Sequence, residues 1–316
     1  MLKWQFLIFS PIGAISSKNW FYIWIMLELS SFSFIMFLSK EKKSESSMMY
    51  FLVQSFSSTI LLTSIIMFVN NSSFVQEVSF FFSFLLIISL MVSGGFAPTH
   101  TWMLEIIRSM NLKNMFIFLT IQKFAPIFIL SKNTSSLSLL LIISMGAFVG
   151  VMSQISCSLV KEILVYSSIS HSSWMLFSSS LDLKIFIFYF SCYSVILLYI
   201  LVEMKKQKKS EIMSSMVESK NITISMISLS GVPPLLGFYP KWLALSQSMQ
   251  KKNMIFISFL LVMMNCINVF VYIRIVNNKI LNLPFIHKNK IKMEIWSKPN
   301  FLMNIIPISI FPFWIM

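Results

Sequence analysis

Long apolar runs recur along the whole chain and constrain its fold more than any other feature. They make 56% of the 316 residues hydrophobic, and only 11% of the residues are charged, whereas a soluble domain usually carries about 25% charged residues. Each run is close to the roughly 20 residues that a helix needs to cross a bilayer. Because water is absent there, a lipid-exposed backbone must satisfy its own polar groups. The sequence therefore predicts an all-α polytopic membrane protein and excludes an ordinary water-soluble enzyme.

Eleven such runs are separated by short clusters of Lys, Asn, Ser and Glu. We predict a transmembrane helix for each, and interruptions in the fourth and the ninth. The predicted spans are Leu2–Ser16, Trp20–Leu38, Met48–Phe68, Val78–Arg108, Met115–Leu130, Leu137–Gln154, Val160–Phe177, Ile185–Leu201, Ile222–Leu245, Met254–Val276 and Phe301–Ile315.

The distribution of basic residues supports this count and predicts the orientation. Eleven spans place eighteen of the 25 Lys and Arg residues, Lys161 included, in segments on one side of the membrane. Only five lie on the other side: Lys18, Lys132, Lys184, Lys251 and Lys252. Positive loops stay on the inner side, so the N-terminus is predicted inside and the C-terminus outside. The formal net charge of +14 is thus mainly a topology signal and does not indicate nucleic-acid binding.

Five ionisable residues lie at membrane depth and are candidates for proton translocation. Glu28, Lys123 and Lys241 each cost at least about 2.5 kcal/mol at the centre of a lone helix. Burial disfavours their charged forms, so each is able to load and release a proton. His171, in a serine-rich span, and His100 are further candidates, because an imidazole group ordinarily titrates near neutrality and suits a relay. A structural hydrogen-bonding role is the alternative for all five.

Glycine and proline interrupt two of the predicted spans. Such interruptions are tolerated at membrane depth only where they are buried or line a wet cavity. A pair of broken helices is typical of an inverted repeat with the ion path between them, although simple kinks remain an alternative. We predict half-repeats over residues 1–155 and 156–276, followed by a basic loop and a last helix over 277–316. The predicted helix-break residues are Gly94, Gly95, Pro98, Gly231, Pro233, Pro234 and Gly237.

No nucleotide-binding, zinc, haem or catalytic-triad pattern is present in the sequence. We therefore predict that the chain has no catalytic residue, binds no metal or other cofactor, and performs no redox chemistry itself.

Five segments together resemble the subunit 2 family of animal, notably invertebrate, mitochondrial NADH dehydrogenase, an antiporter-like membrane subunit of respiratory complex I. They cover most of the chain between Trp20 and Arg274. In chain order they are Trp24–Glu28, Gly95–Trp102, Gln122–Pro126, Tyr166–His171 with Trp174, and Leu229–Pro234 with Lys241–Trp242.

This resemblance implies a multi-pass protein of the mitochondrial inner membrane with its lysine-rich side in the matrix and its C-terminus on the intermembrane-space side. It implies other membrane subunits of complex I and lipids as partners. It also implies a proton path through Glu28, Lys123 and Lys241, coupled to electron transfer from NADH to ubiquinone. NADH, FMN, iron–sulfur clusters and ubiquinone would be used elsewhere in the complex.

One position departs from the family pattern. The family usually has a lysine two residues before the glycine of the Gly-x-Ala-Pro segment, and here that residue is Ser93. A serine can hold water but cannot store charge, so Glu28 either pairs through water with Lys123 or acts within a reduced set of charges. The alternatives to a proton-translocating subunit are a stand-alone cation/proton antiporter and a structural spacer with a degenerate channel.

Overall fold

The computed structural model describes residues 2–39, 44–70, 76–207, 220–251 and 254–281. These residues are all-α: they form thirteen helices and no strand. The helices are α1 (Leu2–Ser16), α2 (Trp20–Leu38), α3 (Ser44–Asn70), α4 (Gln76–Gly94), α5 (Thr101–Ser109), α6 (Leu112–Leu119), α7 (Ile121–Asn133), α8 (Ser136–Ser156), α9 (Val160–Leu181), α10 (Leu183–Gln207), α11 (Lys220–Ser230), α12 (Phe238–Ser248) and α13 (Ile255–Leu281).

The bounds of α1 and α2 coincide with the first two predicted spans, and the fourth and ninth spans each correspond to two helices. The fifth span was predicted as one helix, but it is α6 and α7, joined at Thr120, whose φ and ψ are −113° and −79°. The last predicted span and the basic loop before it lie outside the described residues beyond Leu281.

Six segments of the described chain are long and apolar enough to cross a membrane, which supports the membrane class. The count of eleven spans and the inverted repeat stay predictions. The six segments are Trp20–Leu38, Glu45–Met67, Leu112–Asn133, Ser136–Ser156, Leu183–Lys206 and Ile255–Arg274.

The helices form two compact units. The first contains the residues up to Cys157 together with Lys161–Phe186. Within it, α2 packs against α1 and α3, α3 packs against α4, and α7 contacts α1, α2 and α4. The second unit contains Ser158–Val160 and the residues from Ile187 onward, and in it α11 and α12 pack against α13.

Two glycines one turn apart bring α8 close to α9 in the first unit. A Cβ added at Gly150 would lie 2.8 Å from the amide nitrogen and 3.2 Å from the Cα of Ser170, and 3.0 Å from the carbonyl oxygen of Tyr166. A Cβ at Gly146 would collide with the hydroxyl of Ser173. Small residues at this spacing let membrane helices approach closely. These glycines therefore fix the position of the serine-rich helix α9.

Replacing Gly150 with alanine should destabilise the first unit, because the neighbouring atoms belong to the backbone and cannot rotate away. We expect a loss of about 1–3 kcal/mol of stability, which is the usual cost of overpacking. Thermal unfolding of the purified assembly measures this loss. Gly13→Ala is the matched control, since its Cβ would meet only the flexible side chain of Met26 at 3.2 Å. Equal melting temperatures for the two variants would contradict close α8–α9 packing.

Candidate functional site

Lys241 lies in the interior of the second unit, with only 4% of its surface exposed. Its Nζ donates to Oδ1 of Asn265 at 2.6 Å and to the carbonyl oxygens of Ser230 at 2.8 Å and Leu229 at 3.4 Å. All three of these acceptors are uncharged oxygens.

The break between α11 and α12 explains this arrangement. Gly231 has a φ of +82°, which ends α11 and leaves the carbonyls of its last turn without helical donors. These carbonyls form the negative end of the helix dipole, which attracts a cation. A Cβ at Gly231 would lie 3.0 Å from Cδ and 3.1 Å from Nζ of Lys241, so the glycine also makes room for the lysine.

Gly237 begins the second half of the broken segment. A Cβ at this position would collide with the carbonyl oxygen of Ser228 in α11. The backbone before α12 therefore passes directly against the end of α11. This close approach brings Lys241, four residues later, to the carbonyls that the break exposes.

Lys123 is the corresponding buried lysine of the first unit and is also 4% exposed. Its Nζ donates to Oγ of Ser168 in α9 at 2.9 Å, and that hydroxyl donates to the carbonyl of Val165 at 2.6 Å. Lys123 lies in the first turn of α7, directly after the interruption at Thr120. In the described part of the chain, no acidic side chain forms an ion pair with Lys123. An uncharged hydroxyl therefore takes the place of a counter-ion.

The helix α9 brings His171 into the same unit, three residues after Ser168, and the histidine is 4% exposed. Several serines of α9 are buried, and their hydroxyls donate to carbonyls of α9 itself. Those serines are Ser167, Ser168, Ser170, Ser172, Ser173 and Ser178. Their oxygens keep lone pairs for other donors, as the contact with Lys123 shows.

His100 precedes α5, beside the first break, where Gly95 has a φ of +63°. Its Nδ1 lies 3.1 Å from the carbonyl oxygen of Pro98, and its ring is centred 5.8 Å from that of Tyr166 in α9. His100 therefore lies at the junction of the break and α9.

Glu28 and Ser93 line the same small cavity, which we call the Glu28 cavity. Its volume is about 20 Å³, enough for one water molecule. The lining comes from α2, α3 and α4 and consists of Trp24, Leu27, Glu28, Ser31, Gln54, Ser57, Ser58, Leu61, Ser89 and Ser93. Within the described chain no basic side chain forms an ion pair with Glu28.

Gln54 stabilises the end of α4 at this cavity. Its Nε2 donates to the carbonyl oxygen of Ser93 at 3.1 Å, next to the first glycine pair. Glu28 also lines a groove of about 440 Å³ with mainly apolar walls, formed by α2 and α3. The Glu28 side chain therefore borders both the small cavity and this apolar groove.

Sequence reasoning missed Gln54, Ser168 and Asn265, although each is a polar residue within an apolar run. It also counted Lys161, the second residue of the predicted span Val160–Phe177, with the basic residues at the inner membrane surface. In the structure Lys161 is 5% exposed and its Nζ donates to the carbonyl oxygen of Met110 at 3.0 Å. The neighbouring Glu162 pairs with Arg108 at 2.7 Å, so this end of α9 is tied to α5.

No three or more His, Cys, Asp or Glu side chains come together as a metal site in the described ranges. The buried polar groups around the two lysines are hydroxyls, amides and carbonyls. This chemistry suits a proton on an amine better than a transition metal, which prefers imidazole, thiolate or several carboxylates.

A buried lysine thus lies beside a helix interruption in each of the two units. Residues 17–267 match the family described as NADH:quinone oxidoreductase/Mrp antiporter, TM, and the chain belongs to this family.

Curated relatives narrow this assignment. NADH-ubiquinone oxidoreductase chain 2 of Artemia franciscana is 33% identical over 300 residues, which cover 93% of this chain and 94% of the relative. The protein of the same name from Rhipicephalus sanguineus is 34% identical over 323 residues, covering 98% of this chain and all of the relative. The resemblance to the chain 2 family that the sequence motifs indicated is therefore confirmed.

Solved structures share the fold at low sequence identity. A chain of respiratory complex I from Thermus thermophilus superposes with a TM-score of 0.75 at 17% identity, covering 88% of this chain and 70% of that one. A chain of the archaeal membrane-bound sulfane sulfur reductase superposes with a TM-score of 0.77 at 15% identity, covering 99% and 73%. Both likenesses support the antiporter-like architecture.

Proposed function

We propose that the chain is a core membrane subunit of a proton-pumping NADH:ubiquinone oxidoreductase in the mitochondrial inner membrane. Relatives that cover nearly all of the chain carry that enzyme's name, which supports the proposal. The subunit contributes a path for protons while electrons pass from NADH to ubiquinone elsewhere in the complex. The chain is therefore a subunit of an enzyme, but it performs none of the redox reactions of that enzyme itself.

The observation that carries the proton path is the burial of Lys123 with a serine hydroxyl as its acceptor and no acidic ion-pair partner in the described chain. An ammonium held by an uncharged oxygen is less strongly stabilised than one paired with a carboxylate, because hydrogen bonds between ions are the stronger ones. Burial adds a desolvation penalty for the charged form. Both effects favour loss of the proton from Lys123 during a pumping cycle, and Lys241, buried to the same extent, is the corresponding group of the second unit.

His171 and His100 act as further relay groups beside Lys123, since an imidazole both accepts and donates a proton. Glu28 acts in the same unit as a carboxyl without a lysine opposite it, because Ser93 stands in that place. The first unit therefore works with one basic group fewer than the family pattern.

The location and partners follow from this role. We place the N-terminus in the matrix and the C-terminus on the intermembrane-space side, and assign other complex I membrane subunits and lipids as the partners. NADH, FMN, iron–sulfur clusters and ubiquinone are bound by other subunits, and nucleic acid is not a partner. Cleavage of a tag fused to the C-terminus, by protease added to intact mitoplasts, tests this orientation.

Replacing Lys123 with methionine should lower proton pumping at least about tenfold, because a methionine keeps the volume of the side chain but carries no proton. Proton uptake and quinone reductase activity of the purified complex in vesicles measure the effect. Lys132→Met, nine residues further along α7 and near its end, is the matched control. Unchanged pumping by an assembled Lys123→Met complex would remove Lys123 from the path.

A mainly structural spacer is the second candidate function, and the absence of an ion-pair partner for Glu28 within the described chain favours it. A stand-alone cation/proton antiporter is the third. Transport by the purified chain alone in liposomes would support the antiporter, whereas co-purification only with an NADH-oxidising assembly would exclude it.

A further inference from the structure

Most of the polar groups that line the Glu28 cavity are hydrogen-bond acceptors. Its serine hydroxyls each donate to a main-chain carbonyl three residues earlier in their own helix. These serines are Ser31, Ser57, Ser58, Ser89 and Ser93. A hydroxyl has one proton, so these oxygens can offer only lone pairs to an occupant of the cavity. The carboxylate of Glu28 adds further acceptor sites.

Trp24 supplies a donor at the same cavity. Its indole Nε1 is buried and has no hydrogen-bond partner among the described residues. Trp24 lies one helical turn before Glu28 and lines the cavity with it. A buried donor without an acceptor is destabilising, so a partner for this N–H group would stabilise the protein.

We propose that the Glu28 cavity binds a single water molecule, which accepts the N–H of Trp24 and donates to the carboxylate of Glu28 and to a serine oxygen of α4. The volume of about 20 Å³ fits one water. A water molecule both accepts and donates, as this lining requires, whereas an alkali cation has no lone pair to accept the indole proton.

This water lets Glu28 change its protonation state without a basic side chain opposite it. It accepts a hydrogen bond from the protonated carboxyl group and donates one to the carboxylate, so it stabilises both states while itself gaining and losing no proton. This role rests on the proposed function, whereas the binding of the water does not. Trp24 is thus a positioning residue, because it orients the water without exchanging a proton itself.

A high-resolution density map of the intact membrane assembly tests the water site. We expect one isolated density peak within hydrogen-bond distance of Nε1 of Trp24 and of the Glu28 carboxylate. The peak should disappear in Trp24→Phe, which keeps an aromatic ring but removes the donor. Trp102→Phe is the matched control, because its Nε1 is also buried without a partner in the described chain but does not line the cavity.

Three results would overturn the proposal. The first is a map in which the lining side chains touch one another and leave no space for a water. The second is a basic side chain of another subunit in the cavity, and the third is a peak that depends on sodium and persists in Trp24→Phe. If the variant does not assemble, wild-type maps obtained with and without sodium decide between these outcomes. Proton pumping by Glu28→Gln is measured separately. Unchanged pumping together with a bound water would contradict the role of Glu28 but leave the water site intact.

Discussion

Replacing Lys241 with methionine should lower proton pumping by the assembled complex at least about tenfold, the lower end of what a positioned proton-transfer group contributes. Lys241 is buried at the broken segment, and three uncharged oxygens accept from its Nζ. Methionine fills most of the same volume and cannot hold a proton. The variant should therefore assemble, and proton uptake into vesicles during NADH oxidation should fall.

Lys251→Met is the control for this experiment, because Lys251 is exposed beyond the end of α12. We expect wild-type pumping from it. Asn265→Leu removes one acceptor of Lys241 without removing the amine, and should give a smaller loss than Lys241→Met. If Lys241→Met pumped at the wild-type rate in an assembled complex, Lys241 would be structural.

Replacing Gly237 with alanine should prevent stable folding of the second unit. The added Cβ would occupy the position of the carbonyl oxygen of Ser228, and neither backbone can rotate away. Overpacking commonly costs about 1–3 kcal/mol, and a collision with a backbone atom should exceed that range. The amount of assembled complex in solubilised membranes, measured on a native gel, should fall to a small fraction of wild type.

Val232→Ala is the matched control, since it changes the same loop by removing atoms from a partly exposed side chain. Its complex should accumulate normally. Normal accumulation of Gly237→Ala would mean that the backbone before α12 does not pass against α11, and the described position of Lys241 would then be wrong.

The sequence predicted the parts of this protein that depend on local chemistry. The ends of α1 and α2 were predicted to the residue because clusters of Ser, Lys and Asn flank both runs. Lys123 was predicted to be buried because it lies near the middle of an apolar run, and Lys241 was predicted at membrane depth because it falls within the ninth span. The family was predicted because its motifs are local strings of residues.

The remaining features depend on contacts between distant residues. The interruption at Thr120 has no glycine or proline to mark it, so periodicity gave one helix where the structure has two. Lys161 was counted as a basic residue at the membrane surface, yet it is buried and donates to Met110, 51 residues earlier in the chain. Asn265 was overlooked because it is uncharged, although a lone amide in an apolar span needs a partner.

The ratio of protons pumped to NADH oxidised, in vesicles containing the complex, tests the central claim most directly. It should be compared between the wild type and a variant with both Lys123→Met and Lys241→Met. If the subunit carries protons, the double variant should show a lower ratio as long as electron transfer continues. If the two activities are strictly coupled, the double variant should lose both together. An assembled double variant with the wild-type ratio and rate would show that the chain is a spacer.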